Sequence, residues 1–465
     1  MISFVILKQS PIHPWVTNDV HTDSSVFMTV AYQMQHGLIP YRDTFDHKGP
    51  VIYFINYLGN MISFYKGVWY IEWISLVIAL FFIFKTSQLY LNTIVSALLL
   101  FPIGELIYKY ISGGNLTEEY ALPFISIAVF IFQSYFIKKI ISRFRLYICG
   151  MSMGAVFLLR PNMIAVWVVF CIAVIIQLVI KKQYMNLRKY ICWFMIGFLT
   201  LLLPVGLWLL INNAFDDFMY QNFMFNFKYC GSAISGKAIA FWYFLKQPMI
   251  LFTSVISIFC VVIKYNLINL SNFIAIVVSL IFMSVSGNYS GADSYALVIV
   301  PVLSLTISAS IAIILEKNTT VSIFILLAMI IFLSYNSKSW KSMIEDTYYG
   351  YKTIGENRHN KDILDICDFI RANSSENDRI SVYGNNNIVY LLSERLPASK
   401  YSYQWPISIY DENIMKEYTV QLLENRPKFI IVCNGDGQLD DFIEINNYHL
   451  AYRSSNGISV YGMKQ

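Results

Sequence analysis

The chain has 465 residues, 56% of them hydrophobic and 16% aromatic, with a mean hydropathy of +0.52. Only 14% are charged, against about 25% in soluble domains, which excludes an ordinary water-soluble globular protein. The net charge of +5 falls in short clusters between apolar runs, a membrane-topology pattern and not a nucleic-acid surface.

Several apolar runs reach the ~20 residues a helix needs to cross a bilayer. The class is therefore an α-helical polytopic membrane protein. Cys149, Cys171, Cys192, Cys230, Cys260, Cys367 and Cys433 form no C-x-x-C pair. Most lie in apolar runs and read as small buried hydrophobes, while Cys367 and Cys433 fall in a polar region where a disulfide is open to them. No cleavable signal peptide is evident.

Residues 2–7 (ISFVIL) are apolar but too short to span. They read as an interfacial stub or as part of a first transmembrane helix. Residues 8–66 form a first outer loop. Within it, Asp19–Pro50 collects Asp19, His21, Asp23, His36, Arg42, Asp43, Asp46, His47 and Lys48. Ser24–His36 has the spacing of an amphipathic helix, with Val26, Phe27, Val30 and Met34 on one face and Gly37 as its stop. The segment after Pro50, VIYFINYLGNMISFY, is amphipathic and suits the membrane surface.

Spans are expected over 67–84, 93–110, 117–137, 146–160, 162–180, 190–211, 245–263, 267–286, 294–314 and 319–335, giving about 10–11 transmembrane helices in all. Alternate loops carry Lys85, then Lys138, Lys139, Arg143 and Arg145, then Lys181, Lys182, Arg188 and Lys189, then Lys264 and Lys317. By the positive-inside rule these loops are cytoplasmic. The other parity, with 8–66, Gly113–Glu119, Arg160–Asn162, 212–244, Gly287–Asp293 and the C-terminal region, is then extracytoplasmic. The chain thus divides into a transmembrane domain, 1–335, and a small extracytoplasmic α/β domain, 336–465. In the latter, Lys361–Arg371 and Glu412–Glu424 have helical spacing. Arg379–Tyr383 and Pro427–Cys433 read as strands, and Asn456-Gly457 marks a hairpin between Tyr448–Arg453 and Ile458–Tyr461.

Five places carry potential chemistry. Asp23 begins a helix, where it caps free N–H groups, and is also placed to act as a general base. The run Tyr41-Arg42-Asp43-Thr44-Phe45-Asp46-His47-Lys48 is a salt-bridged turn or a phosphate-binding element with Lys48 as the cation. Asp43, Asp46 and His47 are chemically able to bind a divalent metal, but no ligand geometry is set by the sequence and no metal is assigned. Glu118 and Glu119 follow Thr117 at a helix start, where negative charge suits the dipole; they also form a second acidic site. Glu72 and Glu105 lie inside spans, where ionisable groups are costly and face cavities. Arg160, in Arg160-Pro161-Asn162, is either a helix C-terminal charge or a phosphate ligand. The loop GNYSGADSY puts Tyr289, Asp293 and Tyr295 at a chamber mouth, and Asn212–Tyr243 is a polar, aromatic outer loop.

The order D-S-x-V-F, G-L-x-P-Y-R-D-x-F-D-H-K-G-P, G-G-N-L-T-E-E-Y-A-L-P and R-P-N resembles bacterial GT-C membrane glycosyltransferases, the relatives of protein O-mannosyltransferases and of the lipid A aminoarabinose transferase. The resemblance implies a polyprenyl-phosphate-linked sugar donor, a cell-envelope acceptor and inverting transfer at the outer face. It implies that Asp23 is the base and that Lys48 contacts the donor phosphate. From their own places in the outer loops, Arg160 is a further candidate phosphate contact, and Tyr41, Asp43, Asp46, His47 and Tyr289 are candidate substrate contacts. Many relatives carry Asp-Glu where this chain has Asp23-Ser24, so a second acid comes from elsewhere, with Glu118 and Glu119 as candidates. Rival readings are a polysaccharide polymerase or ligase using lipid-diphosphate sugars, a lipid-linked sugar transporter, and a non-catalytic surface scaffold.

Overall fold

The computed structural model describes residues 2–7, 10, 12–14, 17–18, 22–111, 113–231, 234–286, 293–317, 341, 345, 357–358, 361–405, 407–433 and 437–463. In chain order the helices begin with α1 (Ile2–Leu7), α2 (Thr22–Gln35) and α3 (Pro50–Ile62). They continue with α4 (Val68–Ser87), α5 (Thr93–Tyr110), α6 (Thr117–Lys138), α7 (Arg143–Leu159), α8 (Ala165–Ile180) and α9 (Tyr184–Ile211). Short α10 (Phe215–Met219) and α11 (Phe225–Tyr229) flank a π-helical turn, Tyr220–Met224. α12 (Ile234–Leu245), α13 (Pro248–Ile263), α14 (Leu267–Ser286) and α15 (Val300–Lys317) complete the apolar part.

The chain forms two compact units. One comprises Met1–Gln9, Ile71–Gly206 and Ser232–Lys352; the other comprises Ser10–Tyr70, Leu207–Gly231 and Thr353–Gln465.

The first unit is a helical membrane bundle. Among the described residues, six helices are long and apolar enough to span: Val68–Ser87, Thr93–Tyr110, Thr117–Lys138, Tyr184–Ile211, Leu267–Val285 and Asp293–Glu316. Ala165–Ile180 is a shorter apolar helix. The span expected over 245–263 is α13, Pro248–Ile263, and the outer loop expected before it, 212–244, holds most of a further helix, α12. α12 and α13 meet at 80°, because Pro248 has no N–H to continue the first helix and starts the second. The expected span 319–335 lies outside the described residues. α6 starts where its sequence says it should: the Glu119 carboxylate accepts from the Leu116 N–H at 3.5 Å. α5 is capped by Asn92, which accepts from the Val95 N–H at 2.9 Å.

Two features hold the bundle together. A Cβ on Gly150 of α7 would lie 1.9 Å from the Phe194 carbonyl oxygen of α9, and one on Gly197 would lie 2.0 Å from the Tyr147 oxygen. The backbones of α7 and α9 touch because both positions lack a side chain, the close approach that small residues allow between membrane helices. Between helices, Gln133 Nε2 donates to Asn272 Oδ1 at 3.0 Å, and Gln133 Oε1 accepts from Tyr90 Oη at 2.8 Å. In an apolar setting such partners spare each polar group a large desolvation cost.

The second unit takes in the first loop and the C-terminal segment. Its four-stranded sheet has the order β3-β4-β6-β5, with β3 (Ile380–Tyr383) parallel to β4 (Phe429–Val432), and with β5 (Tyr448–Arg453) and β6 (Ser459–Met463) forming the hairpin through Gly457, φ +88°. β1 (Thr17–Asn18) pairs in parallel with β2 (Asn357–Arg358). Helices Lys361–Asn373, Ile388–Ser393 and Asn413–Asn425 surround the sheet. α2 corrects the reading of an amphipathic helix: it is buried on every side from Ser24 to Gln33. α3 packs against it from one direction and Ile388–Ser393 from another, and Thr29 Oγ1 donates to the Asn387 carbonyl at 3.4 Å. The seven cysteines are free thiols.

Candidate active site

Asp23 lies in the first turn of α2, and its carboxylate is half exposed. Lys48 approaches it from the loop before α3, with Nζ 3.8 Å from Asp23 Oδ2. The lysine is 8% exposed. Its Nζ is 3.0 Å from His47 Nε2 and 5.8 Å from the centre of the Phe27 ring. The ammonium thus meets a carboxylate, an imidazole nitrogen and an aromatic face.

The loop that carries Lys48 is locked from below. Tyr41 has φ +72°, a conformation rare for a non-glycine residue. Its hydroxyl donates to the Lys48 carbonyl at 2.8 Å, and its own carbonyl accepts from Gln221 Nε2 at 2.8 Å. These two bonds hold the unusual turn. Asp46, 3% exposed, accepts from Tyr53 Oη at 2.8 Å, from Tyr403 Oη at 2.9 Å and from the His47 N–H at 2.8 Å. Burial raises its pKa above the ordinary carboxyl value; Lys48 and the two tyrosine hydroxyls oppose that rise without cancelling it. Burial first, and the Asp46 charge next, also push the Tyr53 and Tyr403 hydroxyls well above their usual range, so they remain donors at physiological pH. The His47 ring packs 4.8 Å from that of Tyr229, and Asn226 Nδ2 donates to the His47 carbonyl at 2.8 Å.

Asp43 belongs to a different arrangement. It sits in the fork of Arg42, with Nε–Oδ1 at 2.9 Å and Nη2–Oδ2 at 2.8 Å, and accepts from the Ile39 N–H at 2.8 Å. It builds the turn. Among the described residues no group of three or more His, Cys, Asp or Glu side chains converges as a metal site would require.

In the membrane unit, Arg160 at the end of α7 reaches Glu118 at the start of α6. Its Nη1 is 2.7 Å from Glu118 Oε1. Its Nη2 donates to Tyr295 Oη at 3.0 Å, and the guanidinium lies 4.5 Å from that ring's centre. Thr117 Oγ1 donates to Glu118 Oε2 at 3.0 Å. Glu118 is 3% exposed, and so is a buried partner of Arg160. Glu119 points elsewhere, into a small apolar pocket shared with Glu72, Leu76 and Leu122. The two adjacent glutamates therefore have different surroundings, which their spacing does not reveal. Tyr289 lies outside the described residues.

Sequence reasoning did not find Tyr53, Tyr403 or Gln221. Tyr403 lies 357 positions from the Asp46 it touches, and nothing local marks it. Tyr53 follows Asp46 by seven residues, the one signal that a reading of the first loop offers.

The helical bundle and the small C-terminal sheet have a GT-C-like fold. The crystal structure of ArnT from Cupriavidus metallidurans bound to undecaprenyl phosphate superposes with a TM-score of 0.61 at 10% identity, over 99% of this chain and 95% of that one. The apo form of the same protein gives 0.60 at 10% identity, over the same 99% and 95%. At this identity the likeness is one of fold. Residues 2–322 match the family model of the competence-induced Ccs4 N-terminal domain, and the chain belongs to that family. No curated protein matches the chain.

Proposed function

We propose that the chain is an integral-membrane glycosyltransferase that moves a sugar from a polyprenyl-phosphate donor to a cell-envelope acceptor, a glycan, lipid or protein, at the outer face of the membrane. The observation that carries this reading is the pairing of a half-exposed Asp23 carboxylate with a buried Lys48 ammonium 3.8 Å away. Asp23 takes the proton of an acceptor hydroxyl. The freed oxygen attacks the anomeric carbon on the face opposite the phosphate, and the configuration inverts. The bond from that carbon to the phosphate oxygen breaks, and its electron pair leaves with the polyprenyl phosphate. Phosphate is a good leaving group, so one base suffices where an ordinary glycoside needs an acid as well. Lys48 stabilises the negative charge on the departing phosphate. Arg160 and Glu118, paired with each other in the membrane unit, are kept as candidates for a phosphate contact and a second acid, and Glu119, which faces a separate pocket, as the alternative acid. Tyr41, Asp46 and His47 hold Lys48 in place. No cofactor is assigned to the transfer. The fold shared with ArnT, a protein crystallised with undecaprenyl phosphate, supports the choice of lipid carrier, and the distribution of basic loops supports the outer face.

The test is transfer from a panel of polyprenyl-phosphate hexoses and pentoses to membranes of the source cell, with products read by mass spectrometry and NMR. A new glycosidic linkage of inverted configuration, lost in Asp23→Asn, is the expected result. Asp23→Asn protein that transfers at the wild-type rate removes the assignment of the base. Consumption of diphosphate-linked sugars alone favours the polymerase or ligase reading.

A further inference from the structure

The membrane unit holds a second cavity that the proposed transfer does not use. It has a volume of about 320 Å³ and is lined by Phe132 and Tyr135 of α6, Leu146 of α7, Val174 of α8, and Tyr190 and Phe194 of α9, among others, with almost no polar surface. Its place in the bundle follows from the helices. α6 begins at Thr117, next to Glu118, and ends at Lys138, and α7 ends at Leu159 with its C-cap Arg160 beside Glu118. The cavity therefore lies toward the opposite end, where the α6–α7 and α8–α9 connections carry Lys138, Lys139, Arg143, Arg145, Lys181, Lys182, Arg188 and Lys189.

Two observations identify the occupant. First, an apolar cavity of this kind stays dry and takes up hydrocarbon, and its volume is within the range of small-ligand pockets. Second, the rim is basic and lacks acids. Among the described residues none of those eight side chains is in an ion pair. Lys139 ends α6 in a left-handed conformation, φ +60°. Burial, and then the charge of Lys181, hold its ammonium below the ordinary value. The cavity lining places both basic segments at its rim, through Ile141 of the α6–α7 connection and Leu187 at the start of α9. Exposed Ile140, Phe144, Ile180 and Met185 flank the rim, and seat it at the level where lipid headgroups meet acyl chains.

We propose that this cavity is a binding site for an anionic phospholipid, with one acyl chain inserted between α6, α8 and α9 and the phosphate headgroup held by Lys139 and Lys181. Basic pockets between membrane helices bind anionic headgroups in this way. The site is independent of the sugar-transfer reading, since it uses none of that site's residues.

Native mass spectrometry of the full-length protein, released from nanodiscs of phosphatidylglycerol and phosphatidylcholine in equal parts, tests the proposal. The expected result is one retained phosphatidylglycerol adduct in at least tenfold preference over phosphatidylcholine. Val174→Trp fills the cavity and is expected to lose the adduct while keeping the wild-type melting temperature; Cys171→Phe, one turn away, serves should the first variant not fold. Lys139→Gln with Lys181→Gln is expected to keep a lipid but lose the preference. Equal retention of both lipids by wild type overturns the proposal. So does an undiminished adduct in the filled variants. Displacement of phosphatidylglycerol by equimolar undecaprenyl phosphate also overturns it, and reassigns the cavity to a prenyl chain.

Discussion

Lys48 Nζ stands 3.8 Å from Asp23 Oδ2, the ammonium buried and the carboxylate half exposed. The separation exceeds a direct hydrogen bond, so the two charges attract without being locked. Such a pair can open to admit a phosphate beside the lysine and a hydroxyl beside the aspartate. Asp23→Asn keeps the shape of the side chain in the first turn of α2 but removes the base. Transfer is expected to fall by about 10²–10⁴, with the melting temperature unchanged. Initial rates with the purified variant check this.

Lys48→Met retains the stem that packs near Phe27 and removes the charge. A loss in kcat of about 10²–10³ is expected, the scale seen when one stabilising donor is removed from a transition state. Lys48→Arg is not expected to restore the rate, because a planar fork does not fit the place of a compact ammonium held against His47. Single-turnover kinetics separate this effect from donor binding; an arginine variant at full rate contradicts the proposed geometry.

Asp46 gives a pH dependence. Its folded pKa is raised above the ordinary carboxyl value by burial. A group raised in this way adds stability that is fully present below the unfolded pKa and is lost as pH rises through the folded one. Stability is therefore expected to decline as pH climbs from near the ordinary aspartate pKa to the raised one. In Asp46→Asn that part of the slope is absent. Thermal unfolding in detergent across the acid range checks the sign.

Partly buried Arg160 pairs with fully buried Glu118 at 2.7 Å. Removing one partner leaves a buried charge uncompensated, at a cost of about 3–5 kcal/mol. Arg160→Ala and Glu118→Ala are each expected to be strongly destabilising, and the double variant less so than their sum. A double-mutant cycle by chemical denaturation measures the coupling. Additive losses mean that the two side chains do not interact.

The α7–α9 contact depends on glycine. Gly150→Ala puts a methyl 1.9 Å from the Phe194 carbonyl oxygen, and backbone must move, at about 1–3 kcal/mol. Gly206→Ala, in the same α9, has nothing within 4 Å and is expected to be neutral or to stabilise by about 0.5–1 kcal/mol. Melting temperatures of the two variants should therefore move in different directions.

Much of the fold is legible along the chain. The expected span 93–110 is α5, and 117–137 is α6 less one residue. The C-terminal strands and the Asn456-Gly457 turn fall within a residue or two of their expected places. These features depend on local composition, because a bilayer imposes a length and an apolar content on each span and a turn imposes its own residue types. The expected outer loop 212–244 instead holds α10, α11 and most of α12. The burial of α2 was not legible at all, since its second contact comes from residues more than 350 positions later.

The same division holds within Asp19–Pro50. By itself the sequence determined that an apolar chain concentrates Asp23, Asp43, Asp46, His47 and Lys48 in one loop, because charge in such a chain is expensive unless it is solvated or paired. Tertiary structure alone decided their separate environments. It put Lys48 beside Asp23, closed Asp43 within Arg42, and buried Asp46 under Tyr53 and Tyr403. Hydrogen bonds reach about 3 Å and take no account of distance along the chain, so the partner that sets each carboxylate's state can lie hundreds of residues away.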